Sequence, residues 1–405
     1  MQIFTNRLIF CNLLSSFLNK KSCTIMSERK KNRMKDFKRF QERFDDIHED
    51  LWQYLARTEK PLVLYGMGDG ADKILNVLNE RGISVSGVFA SDGFVRNKVF
   101  RGFPVTSYSE VTSRFPDCIV LVSFGTKLAE VIANIQRIAE RHEVYAPDVP
   151  VFGGGLFTLA YCEQNIRRLY AVYERLCDET SENTFVRALR YRLTGRIDEL
   201  FACESTVSES YTRLIRPKPS SVYVDIGAYN GDTAAEYAAY AGSGCTVYAF
   251  EPDRRNFRKL KAFSEACSEL TLHLYNAAAW SKTEKIPFYS RSGRGCGHTA
   301  VHADAKPETV DGIRIDEAVD YADYIKIDAE GSDKEALCGA ERLIKRAKPT
   351  LCVAAYHRTE DYFALPEALL SMCDDYELYF RHFPYIPCWD TNFYFVPKKG
   401  ENNRE

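Results

Sequence analysis

The sequence predicts an α/β chain of two Rossmann-like domains joined by a helical segment, with the second domain's mostly parallel sheet finished by an antiparallel hairpin. Three observations predict it. PLVLYGMGDGADK (61–73) and SSVYVDIGAYNGDT (220–233) each join a β-rich run to a glycine turn and a helix-favouring run, the opening of a βαβ unit. In both, a second strand follows at similar spacing, ending near Asp92 in one and in Glu251 in the other. The last two apolar runs, Tyr376 to Arg381 and Asn392 to Val396, are separated by about ten residues, too few for a parallel crossover.

At 405 residues, two domains are the natural division. The formal net charge of −2 gives no basic excess, so nothing global points to nucleic acid or an anionic membrane. Thirteen cysteines lie without a CxxC pair or zinc-ligand spacing, which fits a reducing, cytoplasmic setting and names no metal. Residues 8–18 are apolar but too few to span a bilayer. Lys20 and Lys21 follow without a cleavage motif, so Met26 or Met34 is the expected start and residues 1–34 are expected to be disordered.

Apolar residues at Phe37, Phe40, Phe44, Ile47, Leu51 and Leu55 predict one amphipathic helix from Lys35 to Arg57. Pro61 to Tyr65, Val85 to Ala90, Cys118 to Ser123 and Val144 to Tyr145 are the expected strands of the first domain, 35–150. Its glycines Gly66, Gly68 and Gly70 suit either a helix N-terminus that holds NAD or a nucleotide sugar, or tight strand-to-helix packing. Helices at Leu156 to Leu176 and Asn183 to Leu193 form the connecting segment, 151–215, the second stopped by Gly195.

The second domain, 216–398, holds the chemistry, and 399–405 is a tail. Glu251 falls twenty residues past Gly231, where a carboxylate accepts hydrogen bonds from ribose hydroxyls. The glycines Gly227 and Gly231 are spaced GxxxG, so a dinucleotide is not the first choice. Asn276 ends a third strand, where its amide either reads an adenine edge or forms a turn. The loop Ser290 to Thr299 carries His298, a candidate base or a solvated side chain. The run Tyr324 to Gly331, YIKIDAEG, places Lys326 within a strand and Asp328 and Glu330 at its end; the lysine calls for a carboxylate partner. A helix Asp333 to Arg346 and a strand Thr350 to Ala355 follow, and His357 just beyond is a candidate general base.

In order, VDIGAYNGDT, FEPD, NAAAW, IKIDAEGSDKEAL and AAYHR resemble the FkbM family of S-adenosylmethionine-dependent methyltransferases, over roughly Ser220 to Pro397. The resemblance implies a class I methyltransferase fold. It also implies that Asp225, Gly227 and Gly231 hold the methionine part of the cofactor, Glu251 the ribose and Asn276 the adenosine region, with Asp328 and Glu330 facing the substrate. The family's usual reaction implies O-methylation of a sugar, glycan or small-metabolite hydroxyl. Through GMGDGA and RGFPV (101–105), the first domain resembles the nucleotide-binding half-domains seen beside sugar-modifying enzymes, which implies a glycan or nucleotide-sugar-linked acceptor. The expected mechanism is in-line displacement, with His357 ahead of Asp328 and His298 as proton acceptor. Two other functions stay open, an NAD-dependent oxidoreductase or nucleotide-sugar-binding protein built on the GMGDGA turn and a non-catalytic assembly protein, as does a homo-oligomer.

Overall fold

The computed structural model describes residues 36–398 except 92, 94, 96, 97 and 290–306. Asp92, His298, Met26, Met34 and the whole loop at Ser290 to Thr299 therefore lie outside the described residues. Contacts divide the chain into two compact units, Met1–Asp46 and Ile47–Glu405.

In the first unit, residues 36–42 are helical and 43–46 form turns, with Phe40 and Phe44 edge to face at 5.4 Å. The single helix expected from Lys35 to Arg57 is therefore interrupted. Asp50 is the reason on its far side: its carboxylate accepts the Gln53 N–H while the Gln53 side chain accepts the Asp50 N–H, a capping box that starts a separate helix at Leu51–Arg57.

Among the described residues, the second unit holds three sheets. The first contains β1 (Leu62–Tyr65), β2 (Gly87–Phe89), β3 (Val99–Phe100), β4 (Phe103–Thr106), β5 (Ile119–Val122) and β6 (Glu143–Tyr145), in the order β3-β4-β2-β1-β5-β6. All its pairings are parallel except the short β3–β4 hairpin. Every strand expected here is present; β3 and β4 are additional, two and four residues long around the Arg101-Gly102 turn, too short for an alternating pattern to register.

The helices Leu159–Tyr173 and Glu179–Thr194 follow, the latter ended by Gly195 in the left-handed conformation. It begins four residues earlier than the apolar pattern suggests, because Asp178 caps it by accepting the Ser181 N–H.

The third region is a seven-stranded sheet made from β7 (Val222–Ile226), β8 (Thr246–Phe250), β9 (Thr271–Tyr275), β13 (Tyr324–Ile327), β14 (Thr350–Ala354), β15 (Tyr376–His382) and β16 (Thr391–Pro397). Its order is β15-β16-β14-β13-β7-β8-β9, with β16 antiparallel to both neighbours and the rest parallel. This is the expected parallel sheet with an antiparallel end. Chain order reverses beside β7, so the ligand crevice of such a sheet falls at the C-terminal ends of β7 and its neighbours. The register sets Asp225 beside Lys326 and Ile226 beside Phe250.

A small sheet that periodicity did not reveal joins β10 (Ala277–Ala279), β11 (Glu284–Phe288) and β12 (Glu308–Ile313). The helix expected from Asp333 to Arg346 is divided at Ala340 into Asp333–Gly339 and Glu341–Ala347. Among the described residues, no helix is long and apolar enough to cross a membrane.

Candidate active site

A cleft of about 790 Å³ opens at the C-terminal ends of β7, β8, β13 and β14, within the size range of small-molecule sites. Gly227, Tyr229, Glu251, Lys326, Asp328, Glu330 and Tyr356 all line it.

On one side, the turn after β7 meets the end of β8. Glu251 Oε2 accepts the Tyr229 N–H at 2.9 Å and Oε1 accepts the Asp253 N–H at 2.8 Å, so two backbone amides aim the carboxylate and leave lone pairs for a ligand. Burial pushes its pKa up to about 7, against those two N–H donors, which favour the charged form. Tyr229 adopts φ +47 and carries Lys259 Nζ 4.7 Å over its ring, an exposed aromatic beside the carboxylate.

The glycines of this turn serve two different purposes. Gly227 has φ +79, and a Cβ there would sit 2.0 Å from the Asp328 carbonyl oxygen, so it lets the ends of β7 and β13 close on one another at the cleft. A Cβ on Gly231 would lie 2.3 Å from the Phe263 ring, so Gly231 is demanded by helix packing and does not line the cleft.

Asp225 lies beneath the turn, fully buried, accepting from Thr233 Oγ1 at 2.6 Å and facing Lys326 Nζ at 3.8 Å. Burial raises its pKa against the pull of Lys326 and Thr233. It does not line the cleft, so the expected direct contact with the methionine part gives way to support of the turn from below. Asn276 is likewise turned away: its Nδ2 donates to the Glu251 and Pro252 carbonyl oxygens at 2.8 and 3.2 Å, fixing the segment that carries Glu251.

The opposite side is built on the turn after β13. Lys326 reaches Asp225 and Asp328, the latter at 3.6 Å, which supplies the carboxylate pairing that its place in a strand requires. Burial opposes its charge, but the two carboxylates hold its pKa above the ordinary lysine value. Asp328 also accepts the Tyr356 hydroxyl at 3.0 Å. Burial alone would raise the Asp328 pKa; Lys326, His357 and Tyr356 outweigh it and hold the carboxylate ionised.

Glu330, with φ +50, is directed into the cleft by the left-handed turn that continues through Gly331. Its side chain retains 40 % exposure, yet the depth of the cleft and the neighbouring Asp328 and Asp333 push its pKa up to about 7, against the opposite pull of His357.

His357 is fully buried behind this turn. Its Nδ1 meets Asp333 Oδ2 at 2.8 Å, while Nε2 lies 3.2 Å from Asp328 and 3.7 Å from Glu330. Burial opposes the charged ring, but Asp333 and Asp328 prevail and raise its pKa well above the usual histidine value. A protonated ring with no surface on the cleft is badly suited to the base role that its place after β14 suggested. Asp333 instead anchors it and also accepts the Ala329 and Gly331 N–H groups, so histidine and aspartate together brace the Asp328–Gly331 turn.

The segment that follows β5 also contributes to the cleft. Thr126 and Ile386 exchange backbone hydrogen bonds at 2.7 and 3.0 Å, and Gly125 lies so close to Trp389 that a Cβ would stand 2.4 Å from its ring. Lys127, Tyr385, Trp389 and Asp390 thereby form a wall drawn from the segments that follow β5 and β15. Sequence reading singled out none of these four, nor Tyr229 or Tyr356. Tyr229 lies inside the recognised glycine turn and Tyr356 inside AAYHR, so both could have been found; the wall arises from packing between distant segments and carries no local pattern.

By contrast, Gly66 and Gly70 of GMGDGA are accounted for by packing, while Gly68 has open space around it. A Cβ on Gly66 would stand 2.7 Å from the Phe124 ring, and one on Gly70 only 2.4 Å from the Ser123 carbonyl oxygen. The first turn of the helix Asp69–Glu80 already carries Asp69 and Asp72, which oppose an anion there.

Residues 225–387 match the model of the methyltransferase FkbM domain. Among solved structures, the chain is similar to methyltransferase FkbM from Methylobacillus flagellatus, with 24 % identity, coverage of 89 % of this chain and 98 % of that one, and a TM-score of 0.66. A weaker likeness is to Aeropyrum pernix fibrillarin bound to S-adenosyl-L-methionine, with 15 % identity, coverage of 47 % and 72 %, and a TM-score of 0.32. A search of curated proteins found no match. Residues 225–387 thus match the FkbM methyltransferase domain, and the chain has the fold of a methyltransferase.

Proposed function

We propose that this FkbM domain transfers a methyl group from S-adenosylmethionine to a hydroxyl of a sugar, glycan or small metabolite. The observation that carries the reading is Glu251, a carboxylate oriented by two backbone amides at the end of β8 and facing the cleft. That is the geometry a ribose diol requires, and the Gly227 turn beside it leaves backbone accessible where a side chain would block it. The residues present fit the cofactor: Glu251 would take the ribose hydroxyls, the Gly227 turn and Asp232 the methionine end, and Asp225 would hold that turn through Thr233.

When bound, S-adenosylmethionine supplies an electrophilic methyl group on a sulfonium centre. The chain's own residues orient the acceptor and manage its proton. Glu330, deprotonated above about pH 7, would accept the proton that the acceptor hydroxyl gives up on methylation. Asp328 remains charged and orients the acceptor, while His357 stays protonated behind both carboxylates. Most of the acceleration comes from in-line placement of donor and acceptor.

Incubation of the full chain with methyl-labelled S-adenosylmethionine and a deproteinised small-molecule extract tests the reading. Label should appear in a base-stable ether product. Binding of the cofactor without any transfer, or transfer only to nitrogen, would overturn it.

A further inference from the structure

We propose that the strap Pro150–Phe152, which lies outside the matched methyltransferase residues, is a positioning element of the catalytic turn, with Phe152 as its wedge. The inference rests on the proposed role of the Asp328–Gly331 turn. The Val151 and Phe152 N–H groups both donate to the His357 carbonyl oxygen at 3.1 Å, a paired clamp on the residue that braces both carboxylates. The Phe152 ring stands 5.8 Å from the His357 ring, centroid to centroid, and is itself only 2 % exposed. It also meets the turn: a Cβ placed on Gly331 would come within 2.8 Å of Phe152 Cβ. Phe152 thus fills the space that Gly331 leaves open and presses on the peptide following Glu330, whose left-handed φ needs support from its surroundings.

The strap is held from the first sheet's side as well. Lys73, on the helix after the GMGDGA turn, donates to the Val151 carbonyl oxygen at 2.6 Å and to that of Pro150 at 3.3 Å. The first domain therefore takes part in catalysis by fixing the back of the site. A methyltransferase domain cut from this chain would keep Glu251, Asp328 and Glu330 and lose the wedge.

Charged and titratable groups facing His357 come from each neighbouring element: Asp333 from its helix, Asp328 and Glu330 from the turn, Asp361 from the helix that follows, and Lys326 and Tyr356 through Asp328. Removing the Phe152 ring admits water among them. Both the attraction of the carboxylates and the cost of burial then shrink, and the ring's proton becomes easier to lose.

The test uses the full chain, wild type and with Phe152→Ala or Phe152→Leu. S-adenosylhomocysteine affinity is measured by calorimetry, methyl transfer with the acceptor fraction of the labelling experiment, and the His357 ring by histidine-labelled NMR, its signals assigned with His357→Gln. Phe152→Ala should keep its affinity within about twofold, lose transfer by about tenfold or more, and make the His357 signals titrate near neutral pH, with Phe152→Leu restoring both. Unchanged transfer and His357 signals in Phe152→Ala would overturn the inference. So would a loss of folding and cofactor affinity in both variants, which would make the strap purely structural. Absence of cofactor binding or transfer in the wild type would instead sink the methyltransferase reading, while the His357 signals would still report on the wedge.

Discussion

The two βαβ units of this chain look alike in sequence and differ in what their glycines are for. After β1, Gly66 and Gly70 let a helix settle against Ser123 and Phe124, and β2 ends in apolar Phe89 and Ala90. After β7, Gly227 lets β13 close in beside a cleft, and β8 ends in Glu251 held by two amides. A glycine turn reports only that two backbones approach closely. The residue at the end of the next strand decides whether the approach makes a ligand site.

The largest expected effect lies on the second unit's partner turn. Glu330→Gln should lower methyl transfer by about a hundredfold or more while leaving cofactor affinity intact, as expected for loss of a proton acceptor. In the wild type, the rate should fall as pH drops below about 7, the value to which the Glu330 carboxyl is pushed. Glu251 shares that value, so transfer is measured at saturating cofactor to separate the two. The same raised values carry a stability consequence. The folded chain holds protons on Glu251 and Glu330 that the unfolded chain has already released, so stability falls as pH rises from the ordinary carboxylate range to about 7.

A pair of glycine substitutions sharpens the comparison. Gly227→Ala meets the Asp328 carbonyl oxygen at 2.0 Å with φ +79, and should destabilise the fold by about 3 kcal/mol or more in chemical denaturation. Gly68→Ala, with open space around it and extended backbone, should cost about 1 kcal/mol or less, the difference between the two as helix caps. Equal costs would break the distinction drawn between the turns. The smallest effect is assigned to Asn276→Ala, which removes hydrogen bonds to the Glu251 and Pro252 carbonyls and should weaken S-adenosylhomocysteine binding only a few-fold by calorimetry.

Much of this was legible in the sequence because it is local. Strand, turn and helix sit within thirty residues in each unit, and DIGAYNG, FEPD and IKIDAEG announce the ends of β7, β8 and β13. The carboxylate partner of Lys326 could also be inferred, since a lysine in a buried strand needs one. What a linear pattern cannot carry is the direction of a side chain that has two plausible partners. Asn276 and His357 both stand at strand ends, yet the first spends its amide on backbone carbonyls and the second is enclosed by Asp333 and Asp328. The single helix expected from Lys35 fails for a similar reason: apolar spacing continues through a segment that the Asp50 cap has already divided. The small sheet of β10, β11 and β12 is assembled from strands separated by turns and a long connection, none with a clear period.

The βαβ unit after β7, and not the one after β1, is proposed to hold the cofactor. This central claim is tested most directly by calorimetric titration of S-adenosylhomocysteine into the wild type, Glu251→Ala and Asp69→Ala. The account predicts wild-type affinity in Asp69→Ala and a loss of about a hundredfold in Glu251→Ala, the value of two hydrogen bonds to a charged carboxylate. Retained affinity in Glu251→Ala, or a loss confined to Asp69→Ala, would contradict it.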